Sequence, residues 1–481
     1  MTFTSVEFVV FLGLLLGALA LVRGEGMRRN LLLAASYFFY AWYDWRSCFL
    51  LLGVGLLGFW VAQGIERAPD RRAKRPWLLL GVGANLGALA FFKYTGFLLA
   101  SLQPLFRVAG LEAPRPEILL PVGISFYTFQ SISYLSDVYR GVLPAHRGCR
   151  DYLLFAAFFP QLLAGPIVRG GQFLPQLESE HPLRVGHLRA GTERFLRGLT
   201  KKLLLADTLA VWVGPVFAHP AAYAPLTCWL AVLAYAGQIY YDFSGYTDMA
   251  IGVARMAGIE YPENFRHPYA SRSIAEFWQR WHITLSTWLR DYLFLPLAYA
   301  VSRRIREDRP LGIRAETWAY CGATLLTMLL GGLWHGASWT FVAWGALHGM
   351  ALAVQRLVRE LRGRRAQGRY GRAGRLASWA LTFLFLLLSW VIFRAPDFPS
   401  AWAMLRRLVS FDSGGIRWFY VQGLVVLGAG LASHLWSLRH GDRSPALDLR
   451  HPLAWPALAL LLVVLALFAP AGVGPFIYVR F

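Results

Sequence analysis

Two histidines set beside tryptophans hold most of the chemistry that this chain of 481 residues offers. His335 lies in Gly331-Gly332-Leu333-Trp334-His335-Gly336-Ala337-Ser338-Trp339, inside a long apolar run, and His282 lies in Arg280-Trp281-His282-Ile283-Thr284-Leu285-Ser286, at the edge of another. An imidazole in hydrocarbon costs free energy unless a partner or a water-filled cavity receives it, so each is a functional candidate; the competing reading is a hydrogen-bonded residue of helix packing. Two such sites point to one buried pocket. A neutral imidazole near pH 7 can take a proton from an alcohol, and a neighbouring indole can wall an apolar slot or donate its N–H. The chain has no Gly-x-Ser-x-Gly elbow and no His-Glu-x-x-His, so serine hydrolase and zinc protease chemistry lack support. An acyltransferase that activates a hydroxyl directly needs only such a base, a donor site and a route to each. Spacing alone does not name the reaction.

Other polar groups gather toward the middle of the chain. Asp242 and Asp248 stand in Tyr240-Tyr241-Asp242-Phe243-Ser244-Gly245-Tyr246-Thr247-Asp248, where carboxylates are costly; they read either as pocket residues or as helix caps and arginine partners. Gln130 ends Pro121-Val122-Gly123-Ile124-Ser125-Phe126-Tyr127-Thr128-Phe129-Gln130, a run too broken by Pro and Gly for an ideal helix and continued by Ser131, Ser133, Tyr134 and Asp137. Such segments are tolerated at membrane depth only against protein or a cavity, which places this one near a pocket. Residues 152–168, with Pro160, Gln161 and Pro166, read as a re-entrant element or a kinked span. Ser273 and Glu276 form a capping box, and the helix they start puts Trp278, His282 and Ser286 on one face. His348 is a third buried histidine candidate.

The elements that must position these residues are membrane helices. Hydrophobic residues make up 56% of the chain and charged residues 16%, with a mean hydropathy of +0.43. A soluble chain carries about 25% charged residues and does not stack runs of spanning length, so the composition describes an all-α polytopic membrane protein. Apolar runs at 6–22, 31–45, 48–65, 77–92, 226–239, 317–333, 339–354, 376–393, 418–436 and 455–468 read as spans, while 195–217 is amphipathic and suited to the interface. With the re-entrant candidates the total is roughly eleven to thirteen membrane elements. No internal repeat or soluble domain emerges, so residues 1–481 read as a single integral-membrane domain.

The net charge of +21 comes from 48 Lys and Arg against 27 Asp and Glu, clustered in short connections at 66–76, 303–314 and 356–375. That pattern is the positive-inside bias beside anionic lipid, and it argues against nucleic-acid binding. If all three basic connections face the cytoplasm, the chain turns near His335 between the second and third. Cys48, Cys149, Cys228 and Cys321 are scattered, read as small buried hydrophobes and suggest no metal site. The first apolar run lacks a basic start and a clear cleavage site and reads as a span rather than a signal peptide. Two non-enzymatic readings remain open from residues alone. A secondary transporter would use the intramembrane His and Asp, but no two-fold hydropathy repeat supports it; a structural membrane partner would leave His282 and His335 unexplained.

The motifs carry a resemblance. Pro121 to Gln130, Phe158-Phe159-Pro160-Gln161-Leu162 with Ala164-Gly165-Pro166-Ile167, Asp242 to Asp248, Phe277-Trp278-Gln279-Arg280-Trp281-His282-Ile283-Thr284-Leu285-Ser286, and Gly332-Leu333-Trp334-His335-Gly336-Ala337 occur in one order. Together they resemble the membrane-bound O-acyltransferase family, in its bacterial alginate O-acetylase-like branch. The resemblance implies a ring of tilted and re-entrant helices around a central tunnel. It implies His335 as general base and His282 as support for that chemistry. Trp334, Trp281 and Trp278 would shape the pocket, with Asp242, Asp248, Ser286 and Gln130 as polar groups along it. It further implies acetyl transfer from a cytoplasmic donor, economically acetyl-CoA with no permanently bound cofactor, to an exported or cell-surface polysaccharide. D-alanyl or other acyl transfer to an envelope polymer is the alternative. A periplasmic or membrane-anchored acetyl-handling protein is the implied partner, and the bacterial inner membrane the implied location.

Overall fold

The computed structural model describes residues 1–114, 116–163, 165–179, 184–305, 307–362, 371–412, 414–440, 449, 451–452 and 454–468. Ala164, Arg306, the middle of the third basic connection at 363–370, the polar stretch 441–448 and the closing run 475–481 lie outside them.

In chain order the main helices are α1 (Val6–Leu21), α2 (Glu25–Arg67), α3 (Arg71–Leu89), α4 (Ile124–Arg140), α5 (Cys149–Ala157), α6 (Val185–Thr200), α7 (Asp207–Ala218) and α8 (Pro225–Met256). They continue with α9 (Ile274–Arg280), α10 (Ile283–Leu289), α11 (Ala315–His335), α12 (Trp339–Arg362), α13 (Arg372–Arg394), α14 (Phe398–Leu408), α15 (Val421–His440) and α16 (Ala454–Phe468). Among the described residues the sole β pairing is an isolated bridge between Tyr223 and Ile416. Four helices, Glu25–Arg67, Arg71–Ser101, Trp339–Leu361 and Arg372–Arg394, have the length and composition to cross a membrane; Val6–Leu21, Val421–Ala432 and Ala454–Leu465 are shorter apolar helices. The chain is an all-α polytopic membrane protein.

It packs as two compact units: Met1–Leu199 with Tyr246–Pro262, and Thr200–Gly245 with Glu263–Phe481. In the first, the runs expected as separate spans at 31–45 and 48–65 are one continuous element, α2, broken only at Asp44 (φ −157°, ψ 105°). The Asp44 carboxylate accepts from the Arg46 N–H (3.1 Å) and the Ser47 hydroxyl (2.5 Å), which restarts the helix as an N-cap does. The first basic connection is shorter than expected. Asp70 caps Ala73 N at 2.8 Å, so Arg71, Arg72, Lys74 and Arg75 form the opening turns of α3. Asn85 on α3 ties that helix to its neighbour, donating to Ser131 Oγ on α4 at 3.1 Å.

The expected break around residues 121–130 is confined to its start. Gly123 adopts φ +76°, and a Cβ there would run into the Leu162 carbonyl, so only glycine fits. From Ile124 the chain is helical, and every residue from Ile124 to Leu135 is buried. Residues 149–162 fold as two short helical pieces interrupted at Phe158.

The second unit is organised around the antiparallel hairpin of α11 and α12. A Cβ at Gly345 would collide with the Met328 carbonyl, and one at Gly332 with the Phe341 carbonyl. The two backbones therefore touch, as small residues permit in membrane helices. The hairpin turns at Gly336, so the chain does reverse next to His335. Trp344, Trp390, Phe393, Trp281 and Phe277 pack into a common core with Leu209, Trp212, Val213 and Val216 of α7. The expected interfacial helix is thus partly a core element, its apolar face turned to protein.

Candidate active site

His335 is the last residue of α11, and Gly336 leaves the helix in an extended conformation (φ −167°, ψ 148°). The imidazole is buried, with its ring centroid 5.0 Å from Trp334, 5.2 Å from Trp344 and 5.5 Å from Phe393. Close packing of the glycines is what brings Trp344 of α12 alongside.

His282 does not lie on a continuous helix. The expected run from Ser273 through Ser286 begins as read, with the Ser273 hydroxyl accepting from Glu276 N at 3.1 Å and Glu276 reaching back to Arg272 N at 2.8 Å. It then stops at Arg280. His282 takes a left-handed conformation (φ 42°, ψ 56°) and becomes the N-cap of α10. A non-glycine residue there costs about 1–3 kcal/mol and persists where surrounding bonds over-determine it. Here they come from Asn264 and its neighbours. Ile283 N donates to the Asn264 carbonyl, Arg266 N to the Arg280 carbonyl (both 2.9 Å), and Asn264 Oδ1 lies 3.1 Å from His282 Nδ1. The His282 ring has no exposed surface; it meets Phe243 edge-on at 4.6 Å and Trp334 at 6.2 Å.

Trp334 therefore touches both histidines, which the sequence placed in separate motifs. The other expected residues divide. Trp281 lies in the core against Phe265 (5.1 Å), Phe277 (5.5 Å) and Trp390 (5.2 Å). The Ser286 hydroxyl donates to the Trp281 carbonyl at 3.1 Å, tying α10 to the residue before the cap. Trp278 donates its indole N–H to His348 Nδ1 at 3.3 Å, and His348 Nε2 lies 3.2 Å from the Ser389 hydroxyl. With both nitrogens engaged, His348 reads as a packing histidine. Asp242 pairs with Lys202 at 2.6 Å, and Lys202 also meets Asp207 at 2.7 Å, so one buried cation bridges two carboxylates. Asp248 and Gln130 belong to the first unit. Asp248 is held by Arg194 at 2.6 Å, and the Gln130 side-chain oxygen is buried on α4 with no hydrogen-bond partner among the described residues.

Two participants escape a reading of the sequence. Asn264 looks like a turn residue after Tyr261-Pro262, and nothing local marks it as a partner of His282. Lys202 looks like the polar side of an amphipathic helix, although a lone buried lysine had a signal in the nearby Asp207. Among the described residues no three His, Cys, Asp or Glu side chains converge as metal ligands would.

A profile of the membrane-bound O-acyltransferase family matches residues 142–395, which contain both histidines and every aromatic residue placed around them above. The chain belongs to the membrane-bound O-acyltransferase family. It is 44% identical over 420 residues to a probable alginate O-acetylase AlgI of Pseudomonas aeruginosa, covering 86% of this chain and 76% of that one. A probable alginate O-acetylase AlgI of Azotobacter vinelandii is 39% identical over the whole of both chains. The peptidoglycan O-acetyltransferase of Helicobacter pylori is 35% identical over 79% of this chain and 73% of its own. This O-acyltransferase uses an acyl donor in a membrane-embedded setting, and the family match spans α5 through α13. Gln130 lies before the matched segment.

Proposed function

We propose that the protein transfers acetyl groups from a cytoplasmic donor, acetyl-CoA, toward O-acetylation of an exported or cell-surface polysaccharide. What carries the reading is Trp334, whose ring contacts both His282 and His335 inside one buried aromatic box. The names of the relatives, alginate O-acetylase and peptidoglycan O-acetyltransferase, support the acetyl group and the glycan acceptor.

In the proposed reaction His335 is the general base. A ring nitrogen takes the proton of an acceptor hydroxyl as its oxygen attacks the thioester carbonyl carbon. The tetrahedral intermediate collapses, the carbon–sulfur bond breaks, and the leaving thiolate takes the proton back from the imidazolium, so that ester and free thiol are the products. General acid–base assistance of this kind contributes about 10²–10⁴-fold. His335 sits at the C-terminal end of α11, where the helix dipole presents partial negative charge and steadies the imidazolium while it exists. The aromatic walls exclude water, which would otherwise compete for the thioester. His282 orients the reacting groups from the other side of Trp334. Trp281, Trp278 and Ser286 support the loop that carries His282, and Asp242, paired with Lys202, is a polar position along the substrate route. Most of the arginine-rich segments set topology in the bacterial inner membrane beside anionic lipid. A periplasmic or membrane-anchored acetyl-handling protein completes delivery to the polysaccharide.

The test is transfer in proteoliposomes. Radiolabelled acetyl-CoA is supplied on one face, and a periplasmic partner fraction with alginate or peptidoglycan on the other. Label appearing on a glycan, dependent on the partner, supports the reading. Release of no CoA with any acyl donor, together with uptake of a small solute, replaces it with a transporter.

A further inference from the structure

The hydrogen bonds around His282 decide which of its two nitrogens carries the proton. The Thr284 backbone N–H donates to Asn264 Oδ1 at 3.1 Å, and the Thr284 hydroxyl lies 2.9 Å from the same atom. A peptide N–H can only donate, so the end of the Asn264 amide that faces it is the oxygen and not the NH₂ group. That same oxygen lies 3.1 Å from His282 Nδ1. An amide oxygen has no proton to give, and two lone pairs facing each other at this distance would repel. In the neutral imidazole the ring proton therefore sits on Nδ1, and the lone pair is left on Nε2.

Nε2 is buried and has no hydrogen-bond partner among the described residues. Phe243 and Trp334 face the ring, and an acceptor buried in an aromatic box without a donor lowers stability. The left-handed backbone at His282 adds strain at the same residue. Both costs fall on one residue, and both are held in place by one other: Asn264 caps α10 through Thr284, fixes the ring through Nδ1, and through its backbone carbonyl anchors Ile283.

We propose that Asn264 is a positioning residue that locks His282 in the Nδ1–H tautomer and so presents Nε2 as the hydrogen-bond acceptor for a hydroxyl of the acyl acceptor. The identity of that hydroxyl rests on the acyltransferase reading; the tautomer does not. A ring locked this way cannot donate through Nε2 while neutral. His282 thus receives a proton-bearing group and does not polarise a carbonyl.

The tautomer is measured without turnover. Full-length protein labelled with ¹⁵N-histidine is reconstituted in lipid and studied by solid-state NMR, which separates protonated from bare ring nitrogens; the His282 signals are identified by their loss in His282→Gln. The parent is expected to show a protonated Nδ1 and a bare Nε2. Asn264→Asp, whose carboxylate accepts from the same donors, keeps that pattern and retains most of kcat. Asn264→Leu gives mixed tautomers and a kcat lower by about 10–100-fold with KM little changed, the scale by which losing the partner that orients a metal-bound histidine lowers activity elsewhere. A proton on Nε2 in the parent overturns the proposal, and that spectrum decides even if Asn264→Leu fails to fold. A folded Asn264→Leu with unchanged tautomer and kcat overturns it as well. A parent with the expected tautomer but no acyl transfer would remove the proposed function and leave the tautomer assignment standing.

Discussion

Lys202 shows how much one side chain can be asked to hold. Its ammonium lies between Asp207 and Asp242, all three buried, with separations of 2.7 Å and 2.6 Å. Removing one partner from a buried ion cluster leaves charge without compensation and costs about 3–5 kcal/mol. Lys202→Met should therefore lower the thermal stability of the detergent-solubilised protein by an amount on that scale. A melting temperature equal to that of the parent would mean that the two carboxylates find other partners at no cost. At this scale the sequence was legible where a residue's type was itself out of place. A histidine inside an apolar run or an aspartate beside tyrosines announces that something must satisfy it. It was illegible where the partner is ordinary. Asn264 is separated from His282 by a turn and a helix, and only the folded chain shows that its amide oxygen closes on the ring.

Helices set the distances that the residues need. The α11–α12 hairpin brings Trp344 to His335 because Gly332 and Gly345 let the backbones meet. Gly345→Leu has to push α12 away from the Met328 carbonyl, and overpacking of this kind costs about 1–3 kcal/mol. It should also lower kcat more than it raises KM, since it moves the wall of the base. A variant with parental kcat and a matched fold by circular dichroism would show that the hairpin spacing does not position His335. The apolar runs at 317–333 and 339–354, set between basic connections, placed a turn near His335, and α11 does end at His335 with Gly336 leaving the helix. Periodicity failed at α9 and α10. Four-residue spacing of Trp278, His282 and Ser286 fits a helix, but side-chain capping by Asn264 outcompetes one turn of backbone hydrogen bonds, and His282 turns left-handed instead. The same competition explains Asp44, whose carboxylate breaks α2 between two runs that hydropathy had treated as separate spans.

For the whole molecule, charge carries the information. The basic segments after α2, before α11 and after α12 are separated by apolar helices, and the positive-inside rule predicts each of them on the cytoplasmic side. In a chain whose Cys48, Cys149, Cys228 and Cys321 are replaced by alanine, Arg72→Cys, Arg304→Cys and Arg375→Cys should resist a membrane-impermeant maleimide in intact cells and react in inverted vesicles. Labelling of any of the three from the outside would reverse that segment. Family membership follows from the order of five motifs, and the alignment with relatives at 39–44% identity bears it out. Hydropathy could not show the unit boundaries at Leu199 and Gly245, since both fall inside continuous helices.

The central claim is that His335 is the base of an acyl transfer, and it is tested most directly by CoA release from purified protein in nanodiscs supplied with radiolabelled acetyl-CoA and acceptor. His335→Ala, folded as judged by its melting temperature, is predicted to lower release and label transfer by about 10²–10⁴-fold relative to the parent. Equal release by the parent and by His335→Ala would contradict the account.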